Sequence, residues 1–346
     1  MKILGIETSC DETAVAIVED GTKILTNIIS SSKELHDKTG GIIPEVAARE
    51  QVRCMIPVLN ESMRQCSNAT MEDIDAIAVT TGPGLIGSLL IGVETAKTLS
   101  FVSGKPIIPI NHIFAHIYAN WLTEKKKPEF PAIALIISGG HTELFFMKNH
   151  HELRWIGGTL DDASGEAFDK TARLLGLGYP GGPEIARIAS EYKIHNTKYK
   201  IQRLPRPMLN SKDLNMSFSG LKTAIIREVA RLKQAEQFND NTKSQLAYEV
   251  QESITDILVA KTISAAEQYN VKSILLGGGV AANQRLTEKM KSGIKNLELN
   301  IQSYIPSPNL CTDNGAAIAS FAYFHNHPVP WKDVQADPDV EIELES

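Results

Sequence analysis

Short runs of apolar residues separated by polar turns open the chain. Apolar residues dominate Lys2 to Glu7, polar residues occupy Thr8 to Thr13, and a second apolar run spans Ala14 to Glu19. A third run follows Gly21 and extends from Lys23 to Ser31. Runs of this length, bounded by small polar residues, are typical of β-strands. The pattern therefore predicts a three-stranded meander around a tight polar loop.

The pattern changes to helical spacing after this meander. From Ile43 to about Gln65, apolar residues recur three or four positions apart, which favours a helix. Pro57 falls inside that stretch and is expected to kink it. Strands and helices then alternate, with a strand at Ile74 to Val79, a helix at Ile86 to Val102, a strand at Pro106 to Ile110 and a helix from Asn111.

A second round of the same pattern begins after the hydrophilic segment Lys125 to Pro128. The runs Ala132 to Ser138 and Thr142 to Lys148 predict two strands, and Gly139-Gly140-His141 forms the turn between them. This repeats the opening strand–turn–strand unit about 130 residues later. The half continues with helices at Glu166 to Leu175, Ser219 to Lys233 and Lys243 to Tyr269, a strand at Ser273 to Leu276, and a last helix from Thr312 to about Phe324.

This repeat predicts two α/β lobes, each opening with a β-turn-β unit, and a cleft between them. A single doubly wound sheet is the alternative, because strand–helix alternation suits either architecture. The length of 346 residues fits two domains. The final segment, Asp333 to Ser346, has six acidic residues, no basic residue and no apolar periodicity, so we expect it to be disordered.

Composition and charge exclude several classes of protein. With 42% hydrophobic and 22% charged residues the chain is globular, and its apolar runs are far shorter than the roughly 20 residues that cross a bilayer. Four cysteines lie far apart without a CxxC pair, which excludes a disulfide scaffold and suits the reducing cytoplasm. Because the net charge is −6, any binding to nucleic acid must use a local basic patch or partner chains.

Two histidines at helical spacing are the sharpest candidates for chemistry. His112 and His116 lie four positions apart in the helix predicted after a strand, so their imidazoles share one face and can bind one cation. A chance pair that binds nothing is the alternative in a chain with nine histidines. The residue after His112 is Ile113 and not glutamate, so the HExxH motif of zinc proteases is absent.

Polar and glycine-rich turns supply further candidates. The turn Thr8 to Thr13 contains Asp11 and Glu12, whose carboxylates could act as a base, although a solvated turn is the alternative. The turns Ser138 to Thr142 and Gly277 to Gly279 could place backbone N–H groups against a phosphate. Ordinary tight turns have the same composition, so both interpretations remain open.

One segment is basic in this acidic chain. Residues 193 to 212 contain six basic residues, no acidic residue and Tyr199, which suits phosphate contacts and base stacking with a nucleic acid. A solvated loop is the alternative. The basic residues are Lys193, Lys198, Lys200, Arg203, Arg206 and Lys212.

Taken in order along the chain, these segments resemble one family, the bacterial tRNA adenosine threonylcarbamoyltransferases (TsaD), formerly described as O-sialoglycoprotein endopeptidases. The resemblance covers nearly the whole chain and is specific because so many motifs occur in the right order. The motifs are Gly5 to Thr13 (GIETSCDET), Gly41 to Arg49 (GIIPEVAAR), Gly82-Pro83-Gly84, Asn111 to His116 (NHIFAH), Ser138 to Glu143 (SGGHTE), Asp161 to Lys170 (DDASGEAFDK), Tyr179 to Pro183 (YPGGP), Gly277 to Asn283 (GGGVAAN) and Thr312-Asp313-Asn314.

The resemblance implies a fold and a metal site. The implied fold is α/β, the two-lobed fold of actin, sugar kinases and Hsp70 (ASKHA) with a central cleft. We expect residues 1–110 plus 312–330 to form the N-terminal lobe, and residues 111–311 to form the C-terminal lobe with the basic insertion 193–212. The implied metal ligands are His112, His116 and Asp313, which suit one iron or zinc ion per subunit, with iron favoured.

The resemblance also implies substrate-binding and catalytic residues. Many relatives carry an aspartate three residues after the last proline of the YPGGP motif, where this chain has Ala186. By location, Asp11 or Glu12 could take the proton of the amine that is modified. The implied substrate-binding residues are Ile137, Ser138, Gly139, Gly140, His141, Asp169, Gly182 and Asn283.

The implied reaction moves the threonylcarbamoyl group from L-threonylcarbamoyl-AMP to the exocyclic amine of the adenosine 3′ of the anticodon, in tRNAs that read codons starting with A. AMP is a good leaving group, so this step needs no ATP. The implied partners are tRNA, a TsaB-like paralogue and a TsaE-like ATPase, in the cytoplasm and without a membrane.

Two other functions suit the same fold. A small-molecule phosphotransferase would need ATP and magnesium, and two imidazoles argue against it because magnesium prefers oxygen ligands. A nucleotide-dependent scaffold without catalysis would have no need of the metal ligands and polar loops together.

Overall fold

The computed structural model describes residues 1–37, 41–122, 126–192, 201–297 and 300–340. The chain divides into two compact units. Unit 1 comprises residues 1–128, 150–152 and 306–346, and unit 2 comprises residues 129–149 and 153–305. No helix in the described ranges is long and apolar enough to cross a membrane.

Unit 1 is built on a five-stranded mixed sheet with the order β3-β2-β1-β4-β5. The first three strands form the predicted antiparallel meander, and β4 and β5 continue the sheet in parallel with β1. The strands are β1 (Lys2–Glu7), β2 (Glu12–Glu19), β3 (Lys23–Ser31), β4 (Ala76–Gly82) and β5 (Ile107–Asn111).

Helices cover both faces of this sheet. On one face, Leu4 and Ile6 of β1 pack with Met55 and Val93, which lie on two of these helices. The helices before unit 2 are α1 (Lys33–Asp37), α2 (Pro44–Gln65), α3 (Ile86–Ser103) and α4 (His112–Tyr118), with 3-10 turns at Met71–Asp73 and Ala119–Trp121.

Unit 2 has a second mixed sheet with the order β10-β9-β6-β7-β8. Its strands are β6 (Ala132–Ile137), β7 (Thr142–Met147), β8 (Leu153–Gly158), β9 (Ser273–Gly277) and β10 (Gln302–Tyr304). Its helices are α5 (Ser164–Leu174), α6 (Gly181–Ser190), α7 (Ser219–Gln234), α8 (Asp240–Tyr269) and α9 (Gln284–Asn296), with a 3-10 turn at Gly279–Ala282.

The chain then returns to unit 1 with α10 (Pro308–Cys311), α11 (Gly315–Phe324) and a 3-10 turn at Trp331–Asp333. Helix α11 covers the second face of the first sheet, where Ile318 packs with Ile3 and Ile110. It also packs against α4, so α4 belongs to unit 1. The division between the units therefore falls after residue 128 rather than at the predicted 110/111.

The two sheets share one topology, which confirms the predicted duplication. In each, an antiparallel meander of three strands is extended by two parallel strands, β4 and β5 in unit 1 and β9 and β10 in unit 2. The alternative of a single doubly wound sheet is wrong. Helix α8 begins at Asp240, earlier than the predicted Lys243, because Asn239 caps its first turn by accepting the Thr242 N–H.

The prediction of a disordered tail from residue 333 is wrong for the described part, which ends at residue 340. Val334 is buried in the core of unit 1. The Asp337 N–H donates to the Thr81 carbonyl at 2.8 Å, and the Gly84 N–H donates to the Pro338 carbonyl at 3.3 Å. These contacts outweigh the acidic composition, because they bury apolar surface and satisfy backbone groups. Residues 341–346 lie outside the described ranges.

Candidate functional site

The junction between β5 and α4 positions the two histidines. Asn111 ends the strand and caps the helix, with its Oδ1 accepting the Ile113 N–H at 2.9 Å. All seven residues of α4 are buried, so His112 and His116 point into the unit from one helix face. The predicted placement of this pair at a helix start is confirmed.

The segment between α10 and α11 brings a carboxylate to the histidines. Asp313 precedes Asn314, whose Oδ1 caps α11 by accepting the Ala317 N–H at 2.9 Å. The sequence predicts that this helix begins at Thr312, but it begins at Gly315 because Asn314 is the cap. The Asp313 side chain is thus directed to His112 and His116 instead of to the helix end.

The three side chains form a compact triangle of ligand atoms. Nε2 of His112 lies 3.2 Å from Nε2 of His116, and Oδ1 of Asp313 lies 3.7 Å and 3.5 Å from these two nitrogens. A circle through three points with these separations has a radius of about 2.0 Å, which is the length of a metal–imidazole bond. The donor set and its spacing therefore fit one first-row transition-metal ion, the kind of site that the family resemblance implies.

A buried glutamate completes the surroundings of His112. Glu7, at the end of β1, is 1% exposed, and its Oε2 lies 3.1 Å from Nδ1 of His112. The Thr80 hydroxyl and the Ser9 N–H also donate to the Glu7 carboxylate. Sequence reasoning missed Glu7 as a functional residue. The available signal was a charged residue at the end of an otherwise apolar strand, directly before the polar loop.

These charged groups shift one another's proton affinity. Burial opposes ionisation of Glu7, but the charge of His112 and the hydrogen bonds from His112, Thr80 and Ser9 lower the pKa of Glu7 to about 2. Burial likewise opposes protonation of His112, yet Asp313 and Glu7 raise the pKa of His112 to about 9. Burial, opposed by His112, raises the pKa of Asp313 to about 6. With no ion bound, His112 therefore carries a proton at neutral pH.

Asp11, at the end of the polar loop, and Glu12, the first residue of β2, lie beside this triangle. Burial, together with the charges of Asp313 and Asp11, raises the pKa of Glu12 to about 10, so Glu12 is neutral at pH 7. Gln51 of α2 supports the loop, with its Nε2 donating to the carbonyls of Cys10 and Glu12 at 3.1 and 2.9 Å. Glu12 can therefore donate a hydrogen bond at neutral pH.

In unit 2, the turn between β6 and β7 is held in shape by Ser138. Its N–H donates to the His141 carbonyl at 2.9 Å, and its Oγ accepts the His141 N–H at 3.2 Å. Gly139 and Gly140 are exposed with open space around them. Ile137 is fully buried, so only its backbone can face a ligand.

The other predicted substrate residues surround helix ends in unit 2. Asp169 of α5 accepts the N–H of Gly181 at the start of α6 through Oδ1 at 2.6 Å, while Gly182 has open space around it. Burial raises the pKa of Asp169. Asn283 caps α9 by accepting the Leu286 N–H at 3.1 Å, and its Nδ2 donates to Oε1 of Gln251 at 3.2 Å. Ala186 lies within α6.

The glycine turn after β9 borders the Ser138 turn. Gly278 has a φ of +87°, and a Cβ there would lie 2.4 Å from the Ile137 carbonyl oxygen. On the other side, Gly165 of α5 donates its N–H to the Ser138 carbonyl at 3.2 Å. The structure thus brings the two glycine-containing turns together.

The described basic residues of the segment 193–212 differ in their exposure to solvent. Arg206 is only 8% exposed, because it forms ion pairs with Glu249 and Asp256 at 3.1 and 3.0 Å. Its predicted contact with nucleic acid is wrong, since its charge is neutralised inside unit 2. Arg203 is 73% exposed and Lys212 is exposed. The remaining basic residues, Lys193, Lys198 and Lys200, and Tyr199 lie outside the described residues.

Comparison with known proteins identifies the family of this chain. A family model described as tRNA N6-adenosine threonylcarbamoyltransferase (TsaD) matches residues 23–320. The chain is 48% identical over 326 residues to the tRNA N6-adenosine threonylcarbamoyltransferase of Persephonella marina, covering 93% of this chain and 90% of that protein. Its identity to the protein of the same name from Staphylococcus saprophyticus is 46% over 323 residues, again covering 93% and 90%.

Solved structures agree with the fold. Component A of the (R)-2-hydroxyglutaryl-CoA dehydratase of Acidaminococcus fermentans has a TM-score of 0.52 and 14% identity, covering 93% of this chain and 98% of that chain. HypF of T. kodakarensis has a TM-score of 0.57 and 14% identity, covering 94% of this chain and 47% of that chain. At this identity the likeness concerns the fold alone, and it confirms the predicted α/β fold of the actin, sugar-kinase and Hsp70 class.

Proposed function

The chain belongs to the tRNA N6-adenosine threonylcarbamoyltransferase family, and on that premise we propose how its residues act. It is an enzyme that transfers a threonylcarbamoyl group to adenosine in tRNA. We propose L-threonylcarbamoyl-AMP as the donor and, as the acceptor, the adenosine 3′ of the anticodon in tRNAs that read codons starting with A. The observation that carries the site is the cluster of His112, His116 and Asp313.

We propose that this cluster holds one iron ion, which we favour over zinc. Two imidazoles and one carboxylate with open coordination positions are the donor set of many non-haem iron enzymes. A bound ion would supply Lewis acidity for the carbonyl of the threonylcarbamoyl group. The residues of the chain bind the ion, orient the substrates and move one proton.

The polar loop of unit 1 suits the proton transfer. In the reaction, a bond forms between N6 of adenosine and the carbamoyl carbon, the bond from that carbon to the phosphate oxygen breaks, and AMP leaves with the electron pair. We assign the N6 proton to the carboxylate of Asp11. Glu12 is already protonated at neutral pH, so it serves as a hydrogen-bond donor.

The turns of unit 2 suit the AMP part of the donor. Exposed N–H groups at Gly139 and Gly140, beside the turn at Gly278, can surround a phosphate without meeting a side chain. Asp169 uses one carboxylate oxygen on Gly181, and we propose that its other oxygen binds the nucleoside. Ser138, His141, Gly182, Asn283 and the Ile137 backbone complete the proposed binding set.

We propose tRNA contacts for Arg203 and Lys212, together with Lys193, Lys198 and Lys200. These residues are the basic residues of the segment 193–212 without Arg206.

We also propose that a TsaB-like paralogue and a TsaE-like ATPase assist the enzyme in the cytoplasm, where its tRNA substrate is found. Exposed apolar side chains on α2 and α3, such as Val52, Ile56 and Leu90, offer a surface for the paralogue.

The test is a single-turnover reaction without ATP. Wild-type protein and its partners receive preformed L-threonylcarbamoyl-AMP and unmodified tRNA, and modified adenosine is measured together with bound metal. His112→Ala and His116→Ala should each lose the metal and most of the transfer, whereas His327→Ala, at an exposed histidine, should retain both. Metal at full stoichiometry in both variants would exclude the proposed ligands. ATP-dependent phosphorylation of a small molecule, with no tRNA modification, would favour the phosphotransferase instead.

A further inference from the structure

The carboxylate of Glu7 is buried, and both of its oxygens have hydrogen-bond partners. Its Oε1 accepts the Ser9 N–H at 2.5 Å, and its Oε2 accepts the Thr80 hydroxyl at 2.6 Å and faces Nδ1 of His112 at 3.1 Å. A buried charge is costly unless hydrogen bonds replace its hydration. Three donors, from β4, the polar loop and α4, supply that replacement here.

The direction of these hydrogen bonds determines the tautomer of the neutral His112 ring. An ionised carboxylate can only accept hydrogen bonds, so the hydrogen of a neutral His112 ring must lie on Nδ1. Its lone pair is then on Nε2, the nitrogen that lies 3.2 Å from His116 Nε2 and 3.7 Å from Asp313 Oδ1. A carboxylate behind a metal-binding imidazole orients the ring and increases its basicity.

We propose that Glu7 is a positioning residue of the metal site, which holds His112 in the Nδ1–H tautomer and directs Nε2 to the ion. This inference rests on the proposed metal site. The proposed role of residue 7 requires a carboxylate and not merely a polar group. Glutamine would replace one accepting oxygen by an NH2 group, which would face either the Ser9 N–H or the Thr80 and His112 hydrogens.

Ser9 extends the same arrangement to the third ligand. Its Oγ lies 3.2 Å from Nδ1 of His112 and 3.5 Å from Oδ2 of Asp313. Ser9 itself is held by the Leu85 N–H, which donates to its carbonyl at 2.8 Å. Glu7 therefore links the end of the central strand β1 to helix α4, which bears two of the ligands, and to Ser9, which faces the third. A change at Glu7 should affect metal binding although Glu7 is not itself a ligand.

The test measures metal affinity rather than turnover. Full-length wild-type protein, Glu7→Gln and a control are titrated with Co2+ or Zn2+ in competition with a chelator, and the visible absorption of bound Co2+ reports ligand geometry. The control is Glu228→Gln, which removes another buried glutamate, one that pairs with Arg231 in unit 2. Glu7→Gln should bind the ion roughly 10- to 100-fold more weakly and show an altered Co2+ spectrum, whereas the control should match the wild type.

A second measurement needs no variant, which covers the case in which Glu7→Gln does not fold. Nitrogen-15 NMR of histidine-labelled wild type with zinc should show hydrogen on Nδ1 of His112 and metal on Nε2. Coordination through Nδ1 would overturn the role of Glu7, as would equal affinity in Glu7→Gln and the wild type. A wild type that binds no ion would instead remove the metal site itself, so the two failures are distinguishable.

Discussion

The buried charges around His112 predict that the metal-free protein loses stability as the pH rises above neutral. His112 has a pKa of about 9 in the folded protein, against 6.5 for an ordinary histidine. Because the folded value is the higher one, the stabilisation is complete below pH 6.5 and disappears as the pH rises through 9. At about 1.4 kcal/mol for each tenfold change in proton affinity, His112 alone should lower the free energy of unfolding by about 3 kcal/mol across this range, in addition to the decline from Glu12, whose folded pKa of about 10 is also raised.

The assay is urea unfolding of chelator-treated protein, followed by circular dichroism at pH values from 6 to 10. His112→Asn is the control, because it removes the titrating ring while other groups continue to titrate. Its unfolding free energy should lack the 3 kcal/mol decline, so the difference between the two profiles isolates His112. A wild-type profile that stays level between pH 6.5 and 9.5, or one that declines equally in the variant, would refute the assignment of a buried imidazolium between Glu7 and Asp313.

Two further predictions concern unit 2. Arg206→Ala should destabilise the fold by about 2 kcal/mol in urea unfolding, because the partly buried Glu249 loses its ion pair while Asp256 keeps only Lys289 and the more distant Arg203, and it should leave the salt dependence of tRNA binding unchanged. Arg203→Ser should leave the stability unchanged and reduce the salt dependence of tRNA binding. If Arg206→Ala and Arg203→Ser changed tRNA binding equally, the two arginines would not have separate roles. Gly278→Ala should cost about 2 kcal/mol and weaken AMP binding in calorimetry, whereas Gly279→Ala, which has open space, should change neither. Normal AMP binding by Gly278→Ala would show that this turn does not bind the nucleotide.

Local sequence patterns predicted most of the fold and part of the site. The strand–turn–strand unit is visible twice because each copy is continuous in sequence, and the sheets follow from it. His112 and His116 were found by spacing within one helix. Asp313 came only from the family resemblance, because nothing local links it to residues about 200 positions earlier.

What the sequence did not reveal depends on contacts between distant segments. Glu7 has its partners at Thr80 and His112, so its role is invisible until β1, β4 and α4 are brought together. The same applies to the tail, which is ordered by bonds to the Thr81 region. The raised pKa of Glu12 likewise depends on its burial beside Asp313, which the local sequence does not show.

The discontinuity of unit 1 has a consequence for the order of events during synthesis. Residues 1–128 leave the ribosome first, but α11, which covers one face of their sheet, follows only after unit 2. At 5–20 residues per second, roughly 180 intervening residues take about 10–40 s. During that interval Ile3 and Ile110 lack their cover, which makes the nascent unit a substrate for chaperones. Asp313 arrives with the same segment, so the proposed metal site is complete only after residue 313 has been translated.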